Sequence, residues 1–237
     1  MFTNIVKARR PGRPAGETAQ GTATRARLYA IAMDQIGTRG YEATTLRDIA
    51  AKAGVSVGLL YRYFPSKQSI VMALYDQLSA DYAARAAAIP EGRWRDRFLF
   101  ALQESLDVLR PHRAALTALT PVLVGDPTQG IFSNATAPSR LRVQAVFEFA
   151  VADAMDAPKQ PLAGALGRLL YLVHLAVLLW WLLDRSVGQR TTRQLETLIS
   201  TLLPSVAVSL RLPMMRRFVS SLDQLIGEGL LAPTPPD

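Results

Sequence analysis

The side chains with the clearest chemical use lie close together, in the stretch TTLRDIAAKAGVSVGLLYRYFPSK between Thr44 and Lys67. It carries hydroxyls (Thr45, Ser56), cations (Arg47, Arg62, Lys67) and phenols (Tyr61, Tyr63) among apolar residues. Donors of this kind, carried on short helices, suit contacts to phosphates and to base edges in a duplex groove. Bond-breaking chemistry has no comparable cluster. No nucleophile–base–acid set, glycine-rich phosphate loop or metal-ligand spacing occurs along the chain. There is no cysteine and there are only two histidines, His112 and His174, which excludes disulfides and thiolate metal sites and argues against a His-rich metal centre. The chain is therefore expected to have no catalytic residues, no metal and no cofactor, and not to be an enzyme.

Two short helices must position these groups. Thr45 and Asp48 have the spacing of a capping box, which starts the first helix. Leu46, Ile49, Ala50 and Ala53 then share one apolar face, and Gly54 ends the helix. Ser56 caps the next helix. In it Leu60 and Phe64 point inward, Val57 and Tyr61 point outward, and Pro65 stops it near Phe64. Helix, glycine-containing turn, helix is the pattern whose second helix enters the major groove, with Ser56, Val57 and Tyr61 toward base edges. The same spacing also fits an ordinary helical hairpin inside an all-α core, and spacing alone leaves both readings open.

The residue types add to the spacing. The run GYEATTLRDIAAKAGVSVGLLYRYFPSK, Gly40 to Lys67, closely resembles the N-terminal domain of the TetR family of bacterial transcriptional regulators. Matching features are Gly40-Tyr41, the paired threonines, Ile49-Ala50, Gly54-Val55-Ser56, Gly58, Leu60-Tyr61, Tyr63-Phe64 and Lys67. The resemblance implies an all-α protein: a three-helix helix-turn-helix DNA-binding domain followed by a larger helical-bundle ligand-binding and dimerisation domain. It further implies a homodimer on a double-stranded DNA operator, acting as a repressor that an unidentified small-molecule effector releases. Arg47, Ser56, Val57, Gly58, Tyr61 and Arg62 would then face bases, and Thr45, Tyr63 and Lys67 would contact phosphates. Val57 and Leu59 depart from the polar or basic residues many relatives carry there; Val57 can still pack on a thymine methyl. Gln35-Ile36 replaces two large apolar residues, which touches packing. Gly58 fits a close approach to the preceding helix or to DNA, and both tyrosines also fit partial burial in the core.

The whole chain sets the frame. It has 237 residues, 49% of them hydrophobic, and a net charge of +8, with a pI near 10.2. A sizeable core and an anionic partner, nucleic acid or an acidic membrane surface, are both in keeping with this. Residues 1–22 read as a flexible basic arm in which Arg10 and Arg13 either enter a minor groove or stay solvated. No apolar run in it is long enough for a secretory signal, and the cytoplasm is the expected location. The helix-turn-helix domain spans 23–69, with Thr24 capping its first helix, and the C-terminal domain spans 70–237. Ser66 caps a helix to about Ala87 that joins the two and could act as a lever. Further helices are expected over 94–109, 113–119 and 139–155, the last with Leu141, Ala145, Phe149 and Ala152 on one side, with a long loop from Pro121 to Pro138. The segment 162–184 is the most apolar, but Arg168 and Asp184 bracket it too closely for the ~20 residues of a membrane span. It is expected to be buried in its own domain and against a second subunit, followed by helices over 191–210 and 213–227. Gly164 and Gly167 suit close helix packing. His174 is either a satisfied core residue or a polar group facing a ligand, and Trp180-Trp181 either pack or line a pocket. Ligand-binding residues are not identifiable. The alternative to a regulator is a helical binder of small molecules or membrane surfaces without sequence-specific DNA recognition.

Overall fold

A computed structural model describes residues 19–231. Arg10, Arg13 and most of the expected arm lie outside the described residues. The described chain is helical, without strands. Helix α1 (Ala19–Arg39) begins before Thr24. Thr24 is therefore inside the helix, donating its hydroxyl to the Gln20 carbonyl, and is not the cap. α1 ends at Gly40, whose φ of +91° suits a residue without a Cβ. α2 (Leu46–Lys52) starts with the expected capping box between Thr45 and Asp48. α3 (Val57–Tyr63) starts on Ser56, whose side chain accepts from the Leu59 N–H. Leu28, Ala32, Ile36, Ile49, Ala50, Leu60 and Phe64 from the three helices form one core. Gln35 belongs to it as well, donating to the Asp48 carbonyl and tying α1 to α2.

α4 (Lys67–Ala86) starts on Ser66, capped reciprocally with Ser69. It leaves the three-helix unit and enters the bundle of α5 (Trp94–Leu109), α6 (Arg113–Gly125), α7 (Ala137–Ala152), α8 (Leu162–Leu183), α9 (Arg190–Ser209) and α10 (Pro213–Ile226). Pro121 and Pro204 lie inside α6 and α9, not at their ends. Both are on solvent-facing sides, and the inner faces bury Leu119, Val122 and Leu203. That burial offsets the lost backbone bond of an interior proline. The expected loop from Pro121 consequently shrinks to the residues after Gly125, and it is tied down. The Asp126 carboxylate accepts from the Thr128 and Gln129 N–H groups at 2.7 and 2.9 Å, and Thr136 donates to the Gly130 carbonyl at 2.8 Å.

α7 differs most from expectation. Leu141, Ala145, Phe149 and Ala152 are exposed, whereas Ser139, Arg140, Gln144, Phe147, Ala150 and Val151 are buried. The apolar stripe points to the wrong side because α7 packs on α4, α5 and α8 together. Its buried sector is therefore wide and includes polar residues that a single apolar stripe does not reveal.

α8 is long and apolar enough to cross a membrane by composition alone. It packs one side on α7, α10 and α6. Arg113 donates to its C-terminal carbonyls at Trp181 and Asp184, at 2.9 and 2.8 Å. Val173, Trp180 and Leu183 on its other side remain exposed. Gly167 lets α8 lie directly on α7: a Cβ there would stand 2.6 Å from the Glu148 Cα. Gly167→Ala is expected to force the helices apart and destabilise the protein by about 1–3 kcal/mol, read as a lower midpoint in thermal or urea unfolding.

Candidate nucleic-acid interface and interior cavity

The surface of α3 follows from what its inner side buries. Leu60 and Phe64 are 0% and 1% exposed. One residue on from Leu60, Tyr61 is 49% exposed. Arg62 and Ser56 are exposed as well, as is Arg47 on α2. The side chains of Arg47, Tyr61 and Arg62 have no hydrogen-bond or ion-pair partner among the described residues. Val57 is half-buried and packs on the core, so it is less outward than expected. Gly58 is exposed, and a Cβ at this position would meet no heavy atom within 4 Å, so the glycine is not there to admit α2.

The three residues implied as phosphate contacts are already engaged within the domain. The Thr45 hydroxyl donates to the Asp48 carboxylate at 2.7 Å, and the Thr45 N–H points to the same oxygen at 3.2 Å. These two bonds, with Arg39 nearby, hold the Asp48 carboxyl below the usual carboxylate range. Tyr63 is half-buried against the core. The Lys67 ammonium donates to the Tyr41 carbonyl at 2.8 Å and sits 4.0 Å from the centroid of the Tyr41 ring. An ammonium has three donors, so Lys67 keeps capacity for an additional acceptor.

Tyr41 also joins this unit to the bundle. Its hydroxyl lies 3.3 Å from Gln129 Oε1, and the Tyr75 hydroxyl of α4 donates to the Gln129 carbonyl at 3.2 Å. Nearby, α1 meets α6 where Gly37 faces Ala114 and Ala115. Gln129 is not legible in the sequence as a functional residue: it lies in the loop, and nothing local marks its two tyrosine partners, which come from distant positions.

Beside this junction the bundle encloses a cavity of about 350 Å³. Leu78, Leu116, Ile131, Phe132, Leu175 and Trp181 are among the apolar residues of its wall. Tyr75, Tyr82, Ser105, Arg140, Tyr171 and His174 supply polar atoms there. Trp181 lines it and donates to Gln189 at 2.8 Å, whereas Trp180 faces outward. His174 Nε2 is 2.7 Å from Ser105 Oγ, and its Nδ1 has no partner. Burial pushes the His174 imidazole down to about 3, which keeps it neutral, and pushes the Tyr82 and Tyr171 phenols up. Two arginines are buried around this interior with opposite outcomes. Arg97 donates to the carbonyls of Ala150, Pro90 and Phe149 and meets the Asp153 carboxylate. Arg140 is 8% exposed and its side chain has neither a hydrogen bond nor an ion pair among the described residues, with Nε buried and unpartnered.

Surface and interior together define a helix-turn-helix protein with a hollow helical bundle behind it. Residues 28–74 match the family model of the bacterial regulatory proteins, tetR family. The transcriptional repressor KstR2 of Rhodococcus jostii is 45% identical over 58 residues, covering 24% of this chain and 28% of KstR2. The match therefore spans under a third of that relative's length. The repressor KstR of Mycobacterium tuberculosis is 29% identical over 188 residues, 76% of this chain and 80% of that protein. The crystal structure of a tetR-family regulator from Streptomyces coelicolor superposes with a TM-score of 0.62 at 24% identity, covering 87% of this chain and 97% of the other, and so shares the fold. Residues 28–74 are thus similar to the N-terminal domain of tetR-family regulators, and the described chain shares their fold.

The buried imidazole has a pH consequence. An unfolded histidine takes a proton near pH 6.5, while folded His174 resists it down to about 3. Between those values the unfolded state binds the extra proton, so stability falls as pH falls. His174→Gln is expected to flatten the stability profile from about pH 6.5 down to about pH 4, measured by urea unfolding at each pH; an unchanged slope would show that His174 is not the group responsible.

Proposed function

We propose that this chain is a homodimeric, ligand-responsive, DNA-binding transcriptional regulator of the repressor kind, located in the cytoplasm, whose residues 23–69 read an operator and whose residues 70–237 bind an effector and a second copy. The observation that carries this is the uncovered outer side of α3: Gly58, Tyr61 and Arg62 face away from the core that Leu60 and Phe64 enter. A helix held this way can lie in a major groove. Tyr61, Arg62, Ser56 and Arg47 supply hydrogen-bonding groups for base edges, and Val57 a methyl surface. Lys67 and Tyr63 border the same surface as phosphate partners, and Thr45 joins them by releasing Asp48. Arg10 and Arg13 extend the contact into a minor groove. The net charge of +8 favours such a partner. The repressor reading is supported by the names of KstR2 and KstR.

Dimerisation is supported by apolar side chains left open on α8 and α9, among them Val173, Trp180, Leu183, Leu198 and Leu202. Two copies joined there would present two α3 helices. Ligand response is supported by α4, which starts on Ser66 beside α3 and lines the cavity with Leu74, Tyr75, Leu78 and Tyr82. An effector in the cavity would favour one placement of α4, and of the Gln129–Tyr41 contact, over another. A small, largely apolar effector suits the wall.

Operator duplexes enriched from a random pool by retention on the protein provide the test, with affinity read by fluorescence anisotropy at fixed salt. Tyr61→Ala is expected to weaken binding about tenfold or more, the loss of one good base contact, with the dimer intact in analytical ultracentrifugation. Gly58→Ala is expected to leave the unfolding midpoint equal or higher, since alanine is the better helix former and the site is open, yet to lower DNA affinity by crowding the groove. Wild-type affinity in both variants would remove α3 as the reading surface.

A further inference from the structure

We propose that the effector cavity is built for an amphiphile with a single anionic head, a carboxylate in the simplest case, held by Arg140, and an apolar body lying along the remainder of the wall. The inference deepens the ligand-responsive reading above and rests on it.

Three observations carry it. The first is the charge. Arg140 is more than nine-tenths buried, lines the cavity, and has no carboxylate within ion-pair distance among the described residues. A buried cation is normally paired, because the desolvation it suffers must be offset by an opposite charge or by hydrogen bonds. Arg97 shows this chain meeting that requirement elsewhere, with three carbonyls and a carboxylate on one guanidinium. Arg140 lacks every such partner, and a guanidinium offers a planar fork that matches a carboxylate.

The second observation is the setting. Of the six buried side-chain polar atoms without a partner among the described residues, three belong to residues of the cavity wall: Arg140 Nε, Tyr82 OH and His174 Nδ1. Unpartnered polar atoms gathered at one cavity are positions a ligand can complete. The tyrosine and the neutral imidazole add hydrogen-bonding capacity but no charge, so the head group's charge is set by Arg140 alone. The third is α7 itself. It turns Arg140 inward while leaving Leu141 and Phe149 in solvent, the reverse of what core packing favours. With about 350 Å³ available, near the lower end of the roughly 300–1,000 Å³ typical of small-molecule pockets, the occupant is compact and single-headed.

The test uses the purified full-length protein and matched probes: decanoate, decanol and decyltrimethylammonium, with naphthaleneacetate and naphthaleneethanol as a ring-bodied pair. Isothermal titration calorimetry is expected to show each acid binding at least about tenfold tighter than its alcohol, and no binding of the cation. Arg140→Gln should bring the acids down to the level of the alcohols, and Arg140→Lys should keep part of the preference. Should the glutamine variant not fold, the wild-type ranking of acid, alcohol and cation decides. Equal binding of acid and alcohol, binding of none of the probes, or a preference that survives in Arg140→Gln would overturn the proposal. Operator binding is measured separately. Duplex retention without acid preference defeats this inference alone, and acid preference without duplex retention defeats the regulator reading.

Discussion

Leu60 and Phe64 anchor α3 and thereby fix which of its side chains face outward. α3 has only seven residues, far too few to persist as an isolated helix in water. It exists because Ser56 satisfies an N-terminal donor and because two side chains four apart enter the core of α1 and α2. That burial fixes the rotation of the helix. With Leu60 and Phe64 inward, Tyr61 and Arg62 have no choice but to face out, and the glycine at 58 leaves the backbone itself bare. The same core continues into α4 through Ile70, Val71 and Leu74, and α4 goes on to wall the cavity.

The bundle repeats this logic with charge in place of shape. Its helix ends are finished by arginines drawn from other helices: Arg97 serves the carbonyls at the end of α7, and Arg113 those at the end of α8. These guanidiniums are structural, being occupied by the chain's own acceptors. Arg140 stands apart because no acceptor among the described residues reaches it. A protein that satisfies one buried guanidinium four times over and leaves another bare has an interior shaped by more than self-packing. This interior is joined to the three-helix unit by α4, by the contact of α1 with α6 at Gly37, and by the loop residue Gln129, which accepts from Tyr75 on one side and meets Tyr41, the neighbour of Lys67, on the other.

The N-terminal third is legible in the sequence because its signals are local. Thr45 with Asp48, Ser56, and the spacing of Leu60 and Phe64 each act within a few residues, and the structure bears them out. The joining helix from Ser66 is of the same kind. Where neighbours distant in sequence decide, local spacing misleads. Thr24 has the chemistry of a cap but falls inside a helix that starts earlier. Pro121 reads as a break, yet burial of Leu119 and Val122 carries the helix through it. On α7 the visible apolar residues suggest one inward side, although packing on three helices turns Arg140 and Gln144 to the interior. Neither the Gln129 junction nor the bare guanidinium leaves any trace in local spacing, since both are defined by what surrounds them in space. Gly167 is partly legible as a packing residue; its partner, Glu148 on α7, is not.

Everything proposed for this protein requires that two α3 helices of one dimer read a single duplex. Hydroxyl-radical footprinting on a duplex enriched from a random pool tests it most directly. The expected result is a two-fold symmetric consensus whose protected half-sites lie on one face, their centres separated by a whole number of helical turns of ~34–36 Å each. Failure to enrich any duplex, or protection of a single asymmetric site by one copy, would contradict it.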